Sequence, residues 1–100
     1  MEEQDRSYKV IWSETARAAA ETIGRNAREV GIGGAVAAIF REMELSLHRE
    51  PRAAGEIYRA RGNIEEYTFV RGCVALDFAL DKLRYIVLVR KCMALSGHGL

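Results

Sequence analysis

The chain has 100 residues, of which 49% are hydrophobic and 29% are charged, and its formal net charge is +1. These values fit a single globular domain that buries roughly 60–70% of its unfolded surface, and they argue against a second domain or a basic nucleic-acid-binding stripe. The sequence has no apolar run of the roughly 20 residues that span a bilayer, and residues 1–5 do not resemble a signal peptide. We therefore expect a cytoplasmic protein that has no membrane contact.

The first predicted elements are a short strand and a helix. Residues 8–12 alternate in character, with three aromatic or aliphatic side chains on one side, Tyr8, Val10 and Trp12. Ser13 is suited to cap the next helix, because its hydroxyl can accept a hydrogen bond from an unpaired backbone N–H. Apolar residues at three- and four-residue spacing then predict a helix from about Glu14 to Glu29.

Glycines at positions 31, 33 and 34 separate this helix from a second one. They can end the first helix with a left-handed residue, and their spacing fits neither the P-loop nor the dinucleotide fingerprint. The second helix is predicted from about Ala35 to His48 and ends before Pro51. The following segment ends in the hairpin dipeptide Gly62-Asn63, so Ile57 to Arg61 fit either a short strand or a surface loop.

Residues 64–93 are predicted to form an antiparallel meander of three strands. Tight turns at Arg71-Gly72 and Lys82-Leu83 would place Phe69 opposite Val74 and Phe78 opposite Val87. Both registers collect the same apolar side chains on one face: Tyr67, Phe69, Val74, Leu76, Phe78, Leu80, Tyr85, Val87 and Val89.

The other face of the meander is mixed in character, and any site on the sheet should be there. It collects Glu66, Thr68, Ala75, Asp77, Ala79, Ile86, Leu88 and Arg90. The registers place Glu66 opposite Asp77, with Arg90 in reach of an ion pair. The two carboxylates would repel RNA, and they fit either a solvated ion network or a general acid–base pair. Ile86 and Leu88 form an apolar strip that we expect a partner to cover.

The two cysteines, Cys73 and Cys92, become direct cross-strand neighbours in the same register, near the long end of what a disulfide tolerates. Reduced thiols are the default in the cytoplasm, so two small apolar residues are favoured over a disulfide. The cysteines show no metal-ligand spacing, and we expect no cofactor. The glycine-rich tail of residues 96–100 should be mobile.

A strand, two helices and an antiparallel meander predict one α+β domain, ordered from about residue 7 to 95, with both helices on one sheet face. Three segments then resemble toxins of the RelE/ParE superfamily of type II toxin–antitoxin pairs. They are the strand-to-helix segment at residues 9–16, the segment after the second helix with Leu47, Pro51 and Gly55-Glu56, and the hairpin formed by residues 74–81 and 84–89. The resemblance covers roughly residues 8–95.

The resemblance implies a small toxin that a cognate antitoxin holds inactive. Ribonuclease members cut messenger RNA on the ribosome, with basic residues on the open sheet face and a Tyr or His near the C-terminus. By position, it implies three candidate catalytic residues, Arg90, Arg84 and His98. The family's strand arginine is replaced by Ala75, which removes a cation that would stabilise phosphorane charge. Ribosome-dependent cleavage should therefore be weak or absent.

The expected partner is an antitoxin, and a homodimer, messenger RNA on the ribosome and DNA gyrase are further possible partners. Candidate residues for binding a substrate or partner are Arg59, Arg61, Arg71, Glu66, Asp77, Ile86 and Leu88. Whether the chain is an enzyme stays open at this point. The alternative function is a non-catalytic module on the same fold that dimerises or binds a peptide.

Overall fold

Five strands form one sheet in the computed structural model, which describes residues 7–95. The elements in chain order are β1 (Lys9–Trp12), α1 (Glu14–Glu29), α2 (Gly33–Arg49), α3 (Pro51–Ala54), β2 (Glu56–Arg61), β3 (Ile64–Arg71), β4 (Val74–Asp81) and β5 (Ile86–Ala94). The strand order is β1-β5-β4-β3-β2, with β1 parallel to β5 and every other neighbour antiparallel. This architecture confirms the predicted α+β fold. Residues 57–61, which fit either a short strand or a surface loop, lie in strand β2.

The helices begin and end largely where the sequence predicts. Ser13 caps α1, because its Oγ accepts a hydrogen bond from the Ala16 N–H at 3.0 Å. Gly31 follows this helix with a φ of +85°, the left-handed conformation that glycine adopts without strain. The short helix α3 was not predicted. Pro51 opens it at a position where a missing backbone N–H costs nothing. No helix within residues 7–95 is long and apolar enough to cross a membrane.

The core lies between the helices and one face of the sheet. The helices contribute buried side chains such as Val36, Met43 and Leu47. The sheet contributes eight of the nine predicted residues: Tyr67, Phe69, Val74, Leu76, Phe78, Leu80, Val87 and Val89. The ninth, Tyr85, is not on a strand. It lies in the β4–β5 turn with a φ of 58°, and its ring packs on Tyr8 at 5.0 Å between centroids.

The predicted register of β3 on β4 is wrong by two residues. The turn is formed by Gly72 and Cys73, since Gly72 has the positive φ of 59° that a tight hairpin turn needs. Phe69 therefore faces Leu76 rather than Val74. A shift of two residues leaves every side chain on its original face, which is why the predicted core survives the error.

The register of β4 on β5 also differs, because the turn has four residues, 82–85, rather than two. The Asp81 carboxylate holds this turn by accepting hydrogen bonds from the backbone N–H groups of Leu83 at 3.0 Å and Arg84 at 3.1 Å. As a result, Phe78 faces Val89 rather than Val87.

A β-bulge then interrupts this strand pair. Asp77 faces Lys91 while Phe78 faces Val89, so Arg90 is the inserted residue. Beyond the bulge the alternation is reversed, and Cys92 enters the core opposite Leu76.

The predicted Cys73–Cys92 neighbour pair is therefore wrong, because the bulge and the longer turn change the residues that face each other. Both cysteines are free and buried. Burial raises the pKa of the Cys92 thiol to about 11.

One carboxylate, Glu65, is buried on the helix side of β3 with only 8% of its surface exposed. It accepts a hydrogen bond from the Tyr67 hydroxyl at 2.7 Å, and it pairs with Lys82 at 3.2 Å and Arg52 at 3.4 Å. The hydrogen bond from Tyr67, with those from Arg52 and Lys82, lowers the pKa of Glu65 from 4.5 to about 2. These partners explain how a charge is tolerated at the margin of the core.

Glu65 should give the fold a distinct pH dependence. Because its pKa is lowered on folding, its contribution to stability is present above pH 4.5 and is lost as the pH falls towards 2. We expect the Glu65→Gln variant to be less stable at neutral pH and to lose less stability over this interval. Urea unfolding at a series of pH values measures this. Glu56→Gln, at an exposed site on β2, is the control and should follow the wild-type curve. Parallel curves for wild type and Glu65→Gln would contradict the assignment.

Candidate functional site

The sheet face that points away from the helices is uncovered in the described part of the chain, and we call it the open face. The burial of the strands alternates, so that every second residue of β3, β4 and the first half of β5 points to this side. Its residues are Ile11, Glu66, Thr68, Val70, Ala75, Asp77, Ala79, Asp81, Ile86, Leu88, Arg90, Lys91 and Met93.

Arg90 is the centre of a group of polar side chains on the open face. Its Nε and Nη2 donate to Asp77 Oδ1 at 3.0 and 2.7 Å, and Nη2 also donates to Glu66 Oε1 at 3.0 Å. Arg59 lies on the far side of Glu66, at 3.9 Å. We call these four residues, together with Tyr58, the charged belt. The predicted ion pair between Arg90 and Asp77 is present.

The predicted opposition of Glu66 and Asp77 is wrong in detail. Glu66 faces Ala79, and Thr68 faces Asp77, because the β3–β4 register is shifted by two residues. The two carboxylates are therefore diagonal neighbours with the Arg90 guanidinium between them. Hydrogen bonding to Arg90 lowers the pKa of Glu66 from its ordinary value, so this carboxyl is ionised at neutral pH. This geometry is that of an ion network and not of a carboxyl pair that shares a proton.

Tyr58 belongs to the same network, although its position in the sequence does not indicate this. Its hydroxyl donates to Asp77 Oδ2 and accepts from Arg90 Nη2 at 3.0 Å. The hydrogen bond to Asp77 is the main reason that the pKa of Tyr58 rises to about 12. A β-bulge between Ile57 and Arg59 shifts the register at this point. A hairpin closed at Gly62-Asn63 places Arg59 opposite Glu66. This dipeptide was the available sequence signal that a residue of β2 lies beside Glu66.

The other candidate residues do not join Arg90. Arg84 lies in the β4–β5 turn, paired with Asp81 at 3.5 Å and 78% exposed. Asp81 is four residues from Asp77 along β4, or roughly 13 Å at about 3.3 Å per residue. Arg61 lies at the end of β2, opposite Ile64 in the ladder. Arg71 points to the helix side, where it pairs with Glu42 at 2.9 Å. His98 lies outside the described residues.

Two apolar rows border the charged belt. The first apolar row is Ile11, Leu88 and Ala79, which face one another across β1, β5 and β4. The second apolar row is Met93, Ala75 and Val70, which face one another across β5, β4 and β3. The large side chains are well exposed, at 37% for Leu88, 52% for Met93 and 56% for Val70. Leu88 of the predicted Ile86–Leu88 strip thus belongs to the first apolar row, whereas Ile86 faces Lys9 and Asp81 and lies outside both rows.

The charged belt has the chemistry of a closed ion network. Two carboxylates, Glu66 and Asp77, balance two guanidinium groups, Arg59 and Arg90. A phosphate group would have to compete with both carboxylates for the Arg90 donors. Within residues 7–95, no group of three or more His, Cys, Asp or Glu side chains is placed to hold a metal ion.

Three solved structures share this fold. A chain of the archaeal RelE–RelB complex from Pyrococcus horikoshii OT3 superposes with a TM-score of 0.70 and 15% identity, over 90% of this chain and 97% of that chain. The RelBE2 toxin–antitoxin complex from Mycobacterium tuberculosis gives a TM-score of 0.65 and 20% identity, over 89% and 92%. The chromosomal ParDE system from P. aeruginosa gives 0.62 and 10%, over 89% and 97%. The sequence matches no protein-family model and no curated protein. The chain therefore shares the fold of these three chains, which is RelE/ParE-like.

The network should stabilise the fold through its pairs rather than through Arg90 alone. We expect Arg90→Ala to lower the free energy of unfolding by about 1–3 kcal/mol, because it leaves two adjacent carboxylates without their shared cation. In a double-mutant cycle with Asp77→Ala, the two losses should not add. Urea unfolding of the four proteins measures the coupling. Arg84→Ala, in an exposed pair, is the control and should change stability by no more than about 0.5 kcal/mol. Additive losses would show that Arg90 and Asp77 do not interact.

Proposed function

We propose that the chain is the toxin-like component of a cytoplasmic type II toxin–antitoxin pair and that a cognate antitoxin neutralises it. The proposal is supported by the likeness to chains of three toxin–antitoxin complexes, one archaeal and two bacterial, over about nine-tenths of this chain. At identities of 10–20%, these chains share the fold with ours but few of its side chains. The mode of action therefore has to be argued from the open face itself.

The target we favour is a protein such as DNA gyrase rather than messenger RNA. The observation that carries this choice is the engagement of Arg90 by Asp77, Glu66 and Tyr58. A phosphate-binding arginine needs free donors and an excess of positive charge around it. Here two carboxylates occupy the donors, and their charge cancels that of Arg59 and Arg90.

Ala75 supports the same choice. It stands where the resemblance places an arginine, and its ladder neighbours are Val70 and Met93. Neither neighbour is a cation, and Lys91, which is exposed on the same face, lies opposite Asp77 and diagonal to Ala75. Charge that develops on a phosphorane at the Ala75 position would lack the cation that the resemblance places there. This supports an action other than RNA cleavage.

A second candidate is a non-catalytic module that binds a protein partner without arresting growth. The two apolar rows favour it, since a contiguous exposed apolar surface marks an interaction site more often than a surface that contacts only solvent. Growth in a bacterial host separates the two candidates.

Induced expression tests the toxin role. If the chain is a toxin, its expression should slow or stop growth, and co-expression of the neighbouring antitoxin gene should restore it. The control is an empty vector with the antitoxin gene alone. Normal growth of a host that contains the folded, soluble chain would contradict the toxin role and favour the non-catalytic module.

Primer extension on induced cells tests the mode of action. We expect no strong cuts within codons, because Arg90 is engaged and Ala75 replaces a cation. Arg90→Ala should leave the pattern of transcripts unchanged. Strong cuts that disappear in Arg90→Ala would show that Arg90 releases its carboxylates and binds RNA, and the protein-target proposal would then fail.

A further inference from the structure

We infer that the end of the sheet around the β4–β5 turn binds a folded, acidic protein, and that Leu83 enters an apolar pocket of that partner. The inference rests on the proposed function, since the partner is taken to be the protein target of the toxin. It adds the contact surface and the chemistry of the partner, and neither of these follows from the fold.

This surface, which we call the basic end, has an excess of positive charge. It consists of five strand-end residues that face one another across the whole sheet, and of the two turns beyond them: Lys9, Ile86, Asp81, Ile64 and Arg61, with residues 62–63 and 82–85. These described positions hold four cations, Lys9, Arg61, Lys82 and Arg84, against one carboxylate, Asp81. On the helix side, Glu65 pairs with Lys82 and with Arg52, and this added carboxylate and added cation leave the excess at three positive charges.

Leu83 lies in the middle of the β4–β5 turn, among these cations. Its side chain is 75% exposed, the largest exposed fraction among the large apolar side chains of residues 7–95. Ile64 and Ile86, in the strand-end row behind the turn, are half-buried and add to the apolar surface. A single exposed leucine is ordinary on a protein surface, so the way in which the turn holds Leu83 decides whether it can bind a partner.

The turn holds Leu83 in one conformation. The Asp81 carboxylate, which accepts from the Leu83 backbone N–H, also accepts from the Asn63 side chain at 3.2 Å. The backbone N–H of Lys82 donates to the Asn63 carbonyl at 2.9 Å. Tyr85 closes the turn with a φ of 58°, and bulky residues in this conformation persist where the surrounding structure fixes them, often at binding sites. A side chain held in this way loses little conformational entropy on binding.

The chemistry of the basic end favours a protein over a nucleic acid. A phosphate backbone would engage the cations but would gain nothing from a leucine that projects among them. A protein pocket with apolar walls and a rim of carboxylates would engage both, as interfaces combine an apolar centre with a polar rim. Because Leu83 projects from a turn, the partner surface has to be concave, and an extended peptide offers no such pocket. Arg61 and Arg84, two candidate residues that do not join the charged belt, thereby gain a role.

The test is growth arrest by matched variants, scaled to the amount of soluble chain in the cells. Leu83→Gln removes the apolar side chain without a change of charge, and we expect it to need roughly tenfold or more chain for the same arrest. Arg84→Gln should raise the required amount by roughly fivefold or less, because an exposed charge contributes little. Leu45→Gln on α2 and Arg25→Gln on α1 change exposed side chains elsewhere and should arrest growth as the wild type does. Circular dichroism of the purified variants confirms that each is folded.

Four other results would each overturn the inference. If the wild type and Leu83→Gln arrest growth equally, the inference fails while the proposed function stands. If Arg84→Gln loses the arrest and Leu83→Gln keeps it, the cations bind nucleic acid. If Leu83→Gln no longer co-purifies with the co-expressed antitoxin, the turn belongs to the antitoxin and not to the target. If the folded wild type does not arrest growth, the proposed function and the inference fall together.

Discussion

The β-bulge at Arg90 is the constraint on which both sides of the sheet depend. An inserted residue lets Arg90 and Lys91 follow one another without entering the core, and it directs the Arg90 side chain to Asp77 and Glu66. The carbonyl of Arg90 accepts a hydrogen bond from the Ser13 hydroxyl at 3.2 Å, and Ser13 also caps α1. One side chain therefore fixes the start of the helix and the bulge together. Bulges commonly change the direction of a side chain, as this one does for Arg90.

The sequence was sufficient for the elements and for the two faces of the sheet, because those depend on local periodicity. The face of Leu76, Phe78 and Val89 was correct even though the residues opposite them were not. An error of two residues in a strand register preserves the face, whereas an error of one would have exchanged core and surface. The fold was thus predictable from the alternation, without exact knowledge of the turns.

The exact neighbours could not be predicted, because they depend on turn length and on the bulge. The four-residue turn is stabilised by the Asp81 carboxylate, and an alternating pattern does not report the length of a turn. The bulge adds one residue where Arg90 and Lys91 are both polar, so the sequence shows no broken apolar pattern there until Cys92. Tyr58 was missed for the same reason, since it is the inserted residue of a second bulge, on an edge strand. Thus the residues of the site were less predictable than those of the core.

A partner that covers the open face meets apolar and charged surface together. The two apolar rows lie on either side of the charged belt, so a segment that covers both rows has to cross the belt. The side chains of Glu66 and Asp77 are already only 16% and 17% exposed and are paired with Arg90, so most of their desolvation cost falls on folding and not on association. Contacts with the rows would then supply most of the binding free energy, in contrast to a surface that binds nucleic acid through unpaired arginines.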